Sequence, residues 1–129
     1  MGSKTNYLEH AVLNFWLAGN SDGYVSPSDG YVALFTSTTD ELGGGTEVTG
    51  GSYARVACPF TITNGSAANT ALVTFPTASA PWGTVTDFAV FDTDSGGNML
   101  YYGVLGTPRS VLAGDVVKFN AGQLVITED

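Results

Sequence analysis

The chain is short of positive charge. Lys and Arg supply only 4 of its 129 residues against 12 Asp and Glu, a formal charge of −8 at pH 7. Lys4, Arg55, Arg109 and Lys118 stand singly along the chain, whereas a nucleic-acid surface gathers several cations on phosphates. Neither DNA nor RNA is therefore expected as a partner. An anionic membrane, which draws on the same clusters, is not expected either. The one cysteine, Cys58, precludes an intramolecular disulfide and leaves nothing for a cysteine-based metal site. The one histidine, His10, has no second histidine to share a metal and reads as a surface or boundary residue. No apolar run approaches the length of a membrane-spanning helix, and the N-terminus carries no signal-peptide pattern. Synthesis in a cytoplasm is expected, with the product staying there or leaving as part of an assembly.

What is present is apolar and small. Hydrophobic residues make up 43% of the chain, charged residues only 12%, and there are 17 glycines. A chain of this length forms a single domain, 1–129, that buries about two-thirds of its unfolded surface without staples. A weakly charged β-protein has little protection against association, which suits a subunit packed against other chains.

The richest stretch is 82–105. Two apolar runs, 84–91 and 99–105, flank the turn-rich segment 92–98, the layout of a β-hairpin. In the first run Phe88 and Val90 point one way and Ala89 and Phe91 the other. A strand apolar on both faces belongs in the middle of a packed β structure. Further strands are expected at 31–35, 53–63, 70–75, 111–112, 116–119 and 123–127, giving about eight in all. Within 53–63 Pro59 cannot donate to a ladder, so an edge or a bulge is expected there. Residues 20–30 read as a loop, 64–69 as a turn, and Gly106-Thr107-Pro108 as a chain break. Residues 36–52 form a long glycine-rich excursion, of the kind that is functional or mobile in small domains. The fold expected is mainly β: an antiparallel β-sandwich or jelly-roll-like domain.

One helix is expected, over 6–17. Tyr7, Leu8, Ala11, Val12, Phe15 and Trp16 recur at three- and four-residue spacing and make an amphipathic stripe. Thr5 or Asn6 can cap it, with Glu9 placed for a capping box on Asn6, and Gly19 is a natural stop. The stripe either covers the domain's own sheet or docks on a neighbouring chain. The pattern alone does not choose.

Nucleophilic catalysis finds no foothold, and the acids, which a glycosidase would need as a spatial pair, fall mostly in predicted turns. There is no Gly-x-Ser-x-Gly elbow and no phosphate-cradling loop. The acids at 92–98 begin like a calcium loop, but the glycine falls one position early. The twelfth position, where a bidentate Glu belongs, is Gly103. A polar hairpin loop accounts for the segment better, and no cofactor is expected. Cys58 reads as an inert core thiol. Asp87 sits inside an apolar strand and Arg55 inside another, so the two are expected to form a structural ion pair if both turn inward. Trp82 with Tyr101 and Tyr102 could build a sugar platform, although packing explains them as well.

The whole chain is similar to a family of small tailed-bacteriophage virion structural proteins, often labelled tail-fibre proteins. The resemblance runs through N-Y-L-E, Y-V-A-L-F-T and G-G-T-E-V-T-G-G-S-Y-A-R-V. It continues through W-G-T-V-T-D-F-A-V-F-D, G-G-N-M-L-Y-Y-G and the closing G-D-x-x-x-F-x-A-G-x-L-x-I. It implies a non-enzymatic protein of the virion, made in the cytoplasm of the host bacterium. With no repeats and one compact domain, a capsid decoration or cement protein is expected ahead of a compact tail or tail-fibre subunit. A glycan-binding module is the rival of a different class. The partners implied are further copies of itself, as a trimer for example, and the phage major capsid protein or another virion protein. The residues expected to meet partners are Tyr7, Leu8, Val12, Phe15 and Trp16 of the helix, with Glu47, Val48 and Trp82.

Overall fold

A computed structural model of the chain describes residues 2–19 and 30–127. The loop expected at 20–30 lies outside the described residues except for Gly30. The described chain is mainly β, with strands β1 (Gly2–Lys4), β2 (Gly30–Phe35), β3 (Val56–Cys58), β4 (Phe60–Thr63) and β5 (Ser66–Asn69). Then follow β6 (Val73–Thr74), β7 (Gly83–Phe91), β8 (Met99–Val111), β9 (Lys118–Phe119) and β10 (Val125–Thr127). One helix, α1 (Asn6–Leu17), lies between β1 and β2.

The main sheet has the order β3-β2-β7-β8-β1-β10-β5-β4, and β6 pairs with β9 in a small second sheet. Pairing is antiparallel except where β1 runs parallel to β10. The two ends of the order, β3 and β4, are separated in the chain by Pro59 alone. The sheet therefore curls over on itself: one strand run leaves β2 at Pro59 and crosses to β5. A bend that moves a strand from one layer to the other is how sandwich corners are made. Proline suits that corner because it has no N–H to lose, and its carbonyl still accepts from the Thr70 amide at 3.0 Å.

The predicted hairpin is present, with Phe91 opposite Met99 and Asp87 opposite Val104. The loop between is tied by Asp92. Its carboxylate accepts from the Asn98 amide at 2.8 Å and from the Asn98 side chain at 3.1 Å. The acid there is thus a turn-former. The second strand is longer than expected, because the chain does not break at Gly106-Thr107-Pro108. Register jumps from Asp87↔Val104 to Val85↔Arg109, so residues 105–108 bulge out opposite Thr86. Pro108 falls in that bulge, where no ladder hydrogen bond is needed. The bulge also resets the facing of β7, so that Val85 and Phe88 both reach the interior.

The interior gathers Val32 and Leu34 of β2, Val85, Phe88 and Val90 of β7, Leu105 and Val111 of β8 and Ile126 of β10. Phe75, Trp82 and Phe119 fill its centre. Cys58 is buried there, as expected of a core thiol. A second cluster, Ala33, Phe35, Ala89, Phe91 and Met99, lies on the other face of β2 and β7. Both faces of these strands are buried, as their sequences imply.

Two features were not legible beforehand. Gly2–Lys4 is a strand inserted between β8 and β10, with Ser3 opposite Tyr102. Ser66–Asn69, expected as part of a turn, is β5, and the turn is only Asn64-Gly65. Buried Asn69 closes that region. Its oxygen accepts from the Leu124 amide at 2.9 Å, and its nitrogen donates to the Ala71 and Asn120 carbonyls, each at 2.9 Å.

Candidate interaction surface

Helix α1 is fixed at its first turn and uncovered at its last. The Thr5 hydroxyl accepts from the Leu8 amide at 3.3 Å as N-cap and donates to the Met99 carbonyl at 2.6 Å. The Thr5 amide donates to the Leu100 carbonyl at 2.9 Å, and the Asn6 amide to the Glu41 carbonyl at 3.0 Å. Thr5, not Asn6, is therefore the cap, since its hydroxyl both closes the helix and ties it to β8. At the other end Ala18 donates back to Asn14, and Gly19 adopts φ +66°, the left-handed stop its sequence implies.

Of the predicted stripe only Ala11 is buried; Tyr7, Leu8 and Val12 are half-buried. Phe15 is 56% exposed and Trp16 74%, their rings edge to face at 5.2 Å. Leu13 and Leu17, on neither predicted stripe nor sheet, are exposed as well. From Ala11 to Leu17 the helix is apolar all round save Asn14. Such a helix is ordinarily covered on every side, and that signal was available in the sequence. Around the fixed end the surface is acidic: burial raises the Tyr102 hydroxyl above its ordinary value, with Glu41, Asp40 and Glu9 adding to the rise.

The other predicted contact residues are used inside the fold. Val48 is buried in the core, its amide donating to the Leu34 carbonyl at 3.0 Å. Trp82 is 6% exposed; its indole donates to the Gly51 carbonyl at 2.9 Å and meets the Tyr53 ring edge-on at 5.4 Å. Both lie inside the fold, because the 36–52 excursion folds back over the sheet, carrying Val48 in and covering Trp82 through Gly51. The sugar platform is not assembled, since Trp82 is in the core while Tyr101 and Tyr102 are successive residues on β8.

The ion pair also differs from expectation. Arg55 pairs with Glu47, not Asp87, donating from its ε and terminal nitrogens to the two carboxylate oxygens at 2.9 Å each. The reason is topological: Glu47 bridges to Phe35 of β2, which brings the excursion alongside Arg55 just before β3. The remaining terminal nitrogen donates to the Thr93 and Gly96 carbonyls at 3.0 and 2.8 Å, and the guanidinium lies 3.6 Å above the Phe91 ring. The Tyr53 hydroxyl donates to Glu47 at 2.7 Å and accepts from the Leu34 amide at 3.0 Å. Burial pushes the Glu47 carboxyl up, but its bonds to Arg55 and Tyr53 outweigh that and hold it below the ordinary value. Burial, with the Glu47 carboxylate beside it, raises the Tyr53 hydroxyl. This network is a staple joining three loops. Its donors and acceptors are committed within the fold, leaving the outer half of α1 as the candidate contact surface.

A family model described as "Podophage GP4 fiber I protein gp80" matches residues 3–127. The chain belongs to this family. It is thus a fibre-related structural protein of a tailed-phage virion. The match takes in Ser3 and Lys4 of the inserted strand β1 and all of the final strand β10. No curated protein matches the chain. No described helix is long and apolar enough to cross a membrane.

Proposed function

We propose that this fibre-family protein is a non-enzymatic subunit of the phage fibre apparatus, held to a neighbouring virion chain through the outer half of α1. The observation that carries this is the exposure of Leu13, Phe15, Trp16 and Leu17 on a helix whose other end is fixed to the sheet. Burying Phe15 and Trp16 alone would contribute several kcal/mol to an interface. The main sheet offers little strand edge for a partner to extend, because its end strands β3 and β4 are only three and four residues long. A helix in a groove is then the natural mode of contact. Further copies of this chain and neighbouring virion proteins are the partners this reading takes. A shell-decorating protein would use the same surface, and the family description favours the fibre over the shell.

Imaging of intact particles with an antibody to this protein tests the location. Label on the fibres is expected, and label spread over the shell would overturn the fibre reading in favour of decoration. A double substitution, Phe15→Ser with Trp16→Ser, tests the surface. It should leave the isolated protein folded and reduce its incorporation into particles. Full incorporation would remove α1 from the contact.

A further inference from the structure

Strand β1 is 3 residues long, whereas β8 beside it has 13. It lies between β8 and β10 and pairs with β8 only from Lys4 opposite Tyr101 to Gly2 opposite Gly103. It meets β10 at one point, Gly2 opposite Ile126. Past Gly2 the line of β1 runs on into a cleft of about 390 Å³. One wall of the cleft is 104–107 of β8, and the other is 123–125, where β10 begins. These walls follow Gly103 and precede Ile126, so the cleft is a strand position inside the sheet that the described β1 does not reach. Backbone groups face it. The Thr5 amide bonds to the Leu100 carbonyl, so alternate residues of β8, Tyr102 and then Val104, turn their N–H and C=O to the β1 side. On the other wall Leu124 spends both backbone groups on Asn69, so those of Val125 turn to that side. The floor is apolar, formed by Phe88 and Phe119 of the interior. Arg109 lines the end away from β1. Its guanidinium lies 4.5 Å over the Phe119 ring and donates to the Lys118 carbonyl at 2.8 Å. Among the described residues no carboxylate pairs with it.

We propose that this slot receives an extended segment of a neighbouring virion chain, inserted in line with β1. The segment presents apolar, β-branched side chains to Phe88 and Phe119 and an acidic residue to Arg109. Strand addition works through these parts: ladder hydrogen bonds hold the backbone, and pockets take alternate side chains. At about 3.4 Å per residue, a wall four residues long accommodates roughly four residues of an added strand. Charge selects the acid. In a chain with 12 acidic residues and 4 basic ones, an arginine without a carboxylate partner at the mouth of an apolar slot is placed for a carboxylate from outside. The slot lies within the sheet, so the shortness of its end strands sets no limit here. It is also separate from the outer half of α1.

Extending the full chain tests this, because a segment placed directly before Met1 continues the line of β1. The extension Asp-Val-Thr-Val brings valine opposite Leu105 and Thr107 and carries the aspartate towards Arg109. Asp-Pro-Thr-Pro is its control, since proline has no N–H for a ladder. The valine extension should melt several degrees above the control, because a segment held only by the folded state stabilises it. Arg109→Gln should shrink that difference. In particles the valine extension should lower incorporation several-fold, its slot being already filled, while the control leaves incorporation unchanged. Equal melting of the two extended chains would overturn the slot. A difference that Arg109→Gln leaves intact would overturn the acidic anchor. Undiminished incorporation of the valine-extended chain would overturn a neighbour's strand as the occupant.

Discussion

The loop staple at Arg55 and the outer half of α1 are opposites. At the staple a charged side chain is almost fully withdrawn from water, and each of its bonding groups meets a partner in the same chain: Glu47, Thr93, Gly96 and the Phe91 ring. On the helix, large apolar side chains stand in water with no such cover. The first arrangement is complete within one subunit, and the second is not. The difference is between a buried charge whose bonds are closed within the chain and a helix end whose apolar side chains no described residue covers.

Substitutions should separate the two regions by the size of their effect on folding. The interior sets the scale. Phe75→Ala removes a ring at the centre of the core, stacked near Tyr53 and edge-on to Phe119, and should cost about 4 kcal/mol in chemical denaturation. Arg55→Ala leaves a half-buried Glu47 without its counter-charge and frees the 92–98 loop. A loss of about 3 kcal/mol is expected, and a loss near zero would demote the staple to a surface pair.

The pH dependence sharpens the same point. The folded Glu47 carboxyl lies below the ordinary value of 4.5, so its stabilisation is present above that pH and fades as pH falls through the folded value. The advantage of the unsubstituted protein over Glu47→Gln in melting temperature should therefore narrow below about pH 4.5. A gap that stays constant into acid would show that the charge is not what holds the excursion. The smallest effect is expected on the helix. Trp16→Ser should change folding stability by no more than about 0.5 kcal/mol while weakening assembly. If its cost approached that of Phe75→Ala, the helix would be part of the subunit's own core and the contrast would fail.

Much of this was legible along the chain. Alternation and a turn-rich joint are local signals, so the 84–91 and 99–105 runs, the two-sided burial of the first and the polar loop between them could be read directly, whereas Val104 of the second run, expected to be buried, is 62% exposed. Thr5, Gly19 and the apolar spacing of 6–17 likewise placed α1. What could not be read was pairing between distant segments. Glycine, serine and lysine at 2–4 carry no strand pattern. They become β1 because β8 and β10 leave a ladder between them that backbone groups of any sequence can fill. Arg55 was assigned Asp87 because both interrupt apolar runs, and nothing local revealed that Glu47 would be folded back against β2.

The sequence by itself determined a mainly β domain of low charge, its central hairpin, one N-terminal helix and membership of a phage structural family, because these rest on periodicity, turn chemistry and residue type. Only the tertiary structure decided which partner each buried charge received and which apolar residues remained outside. Val48 and Trp82 went into the core, while Phe15 and Trp16 stayed in water. The physical reason is that burial and ion pairing depend on what lies across the fold: the excursion's return over the sheet and the strand that crosses layers at Pro59.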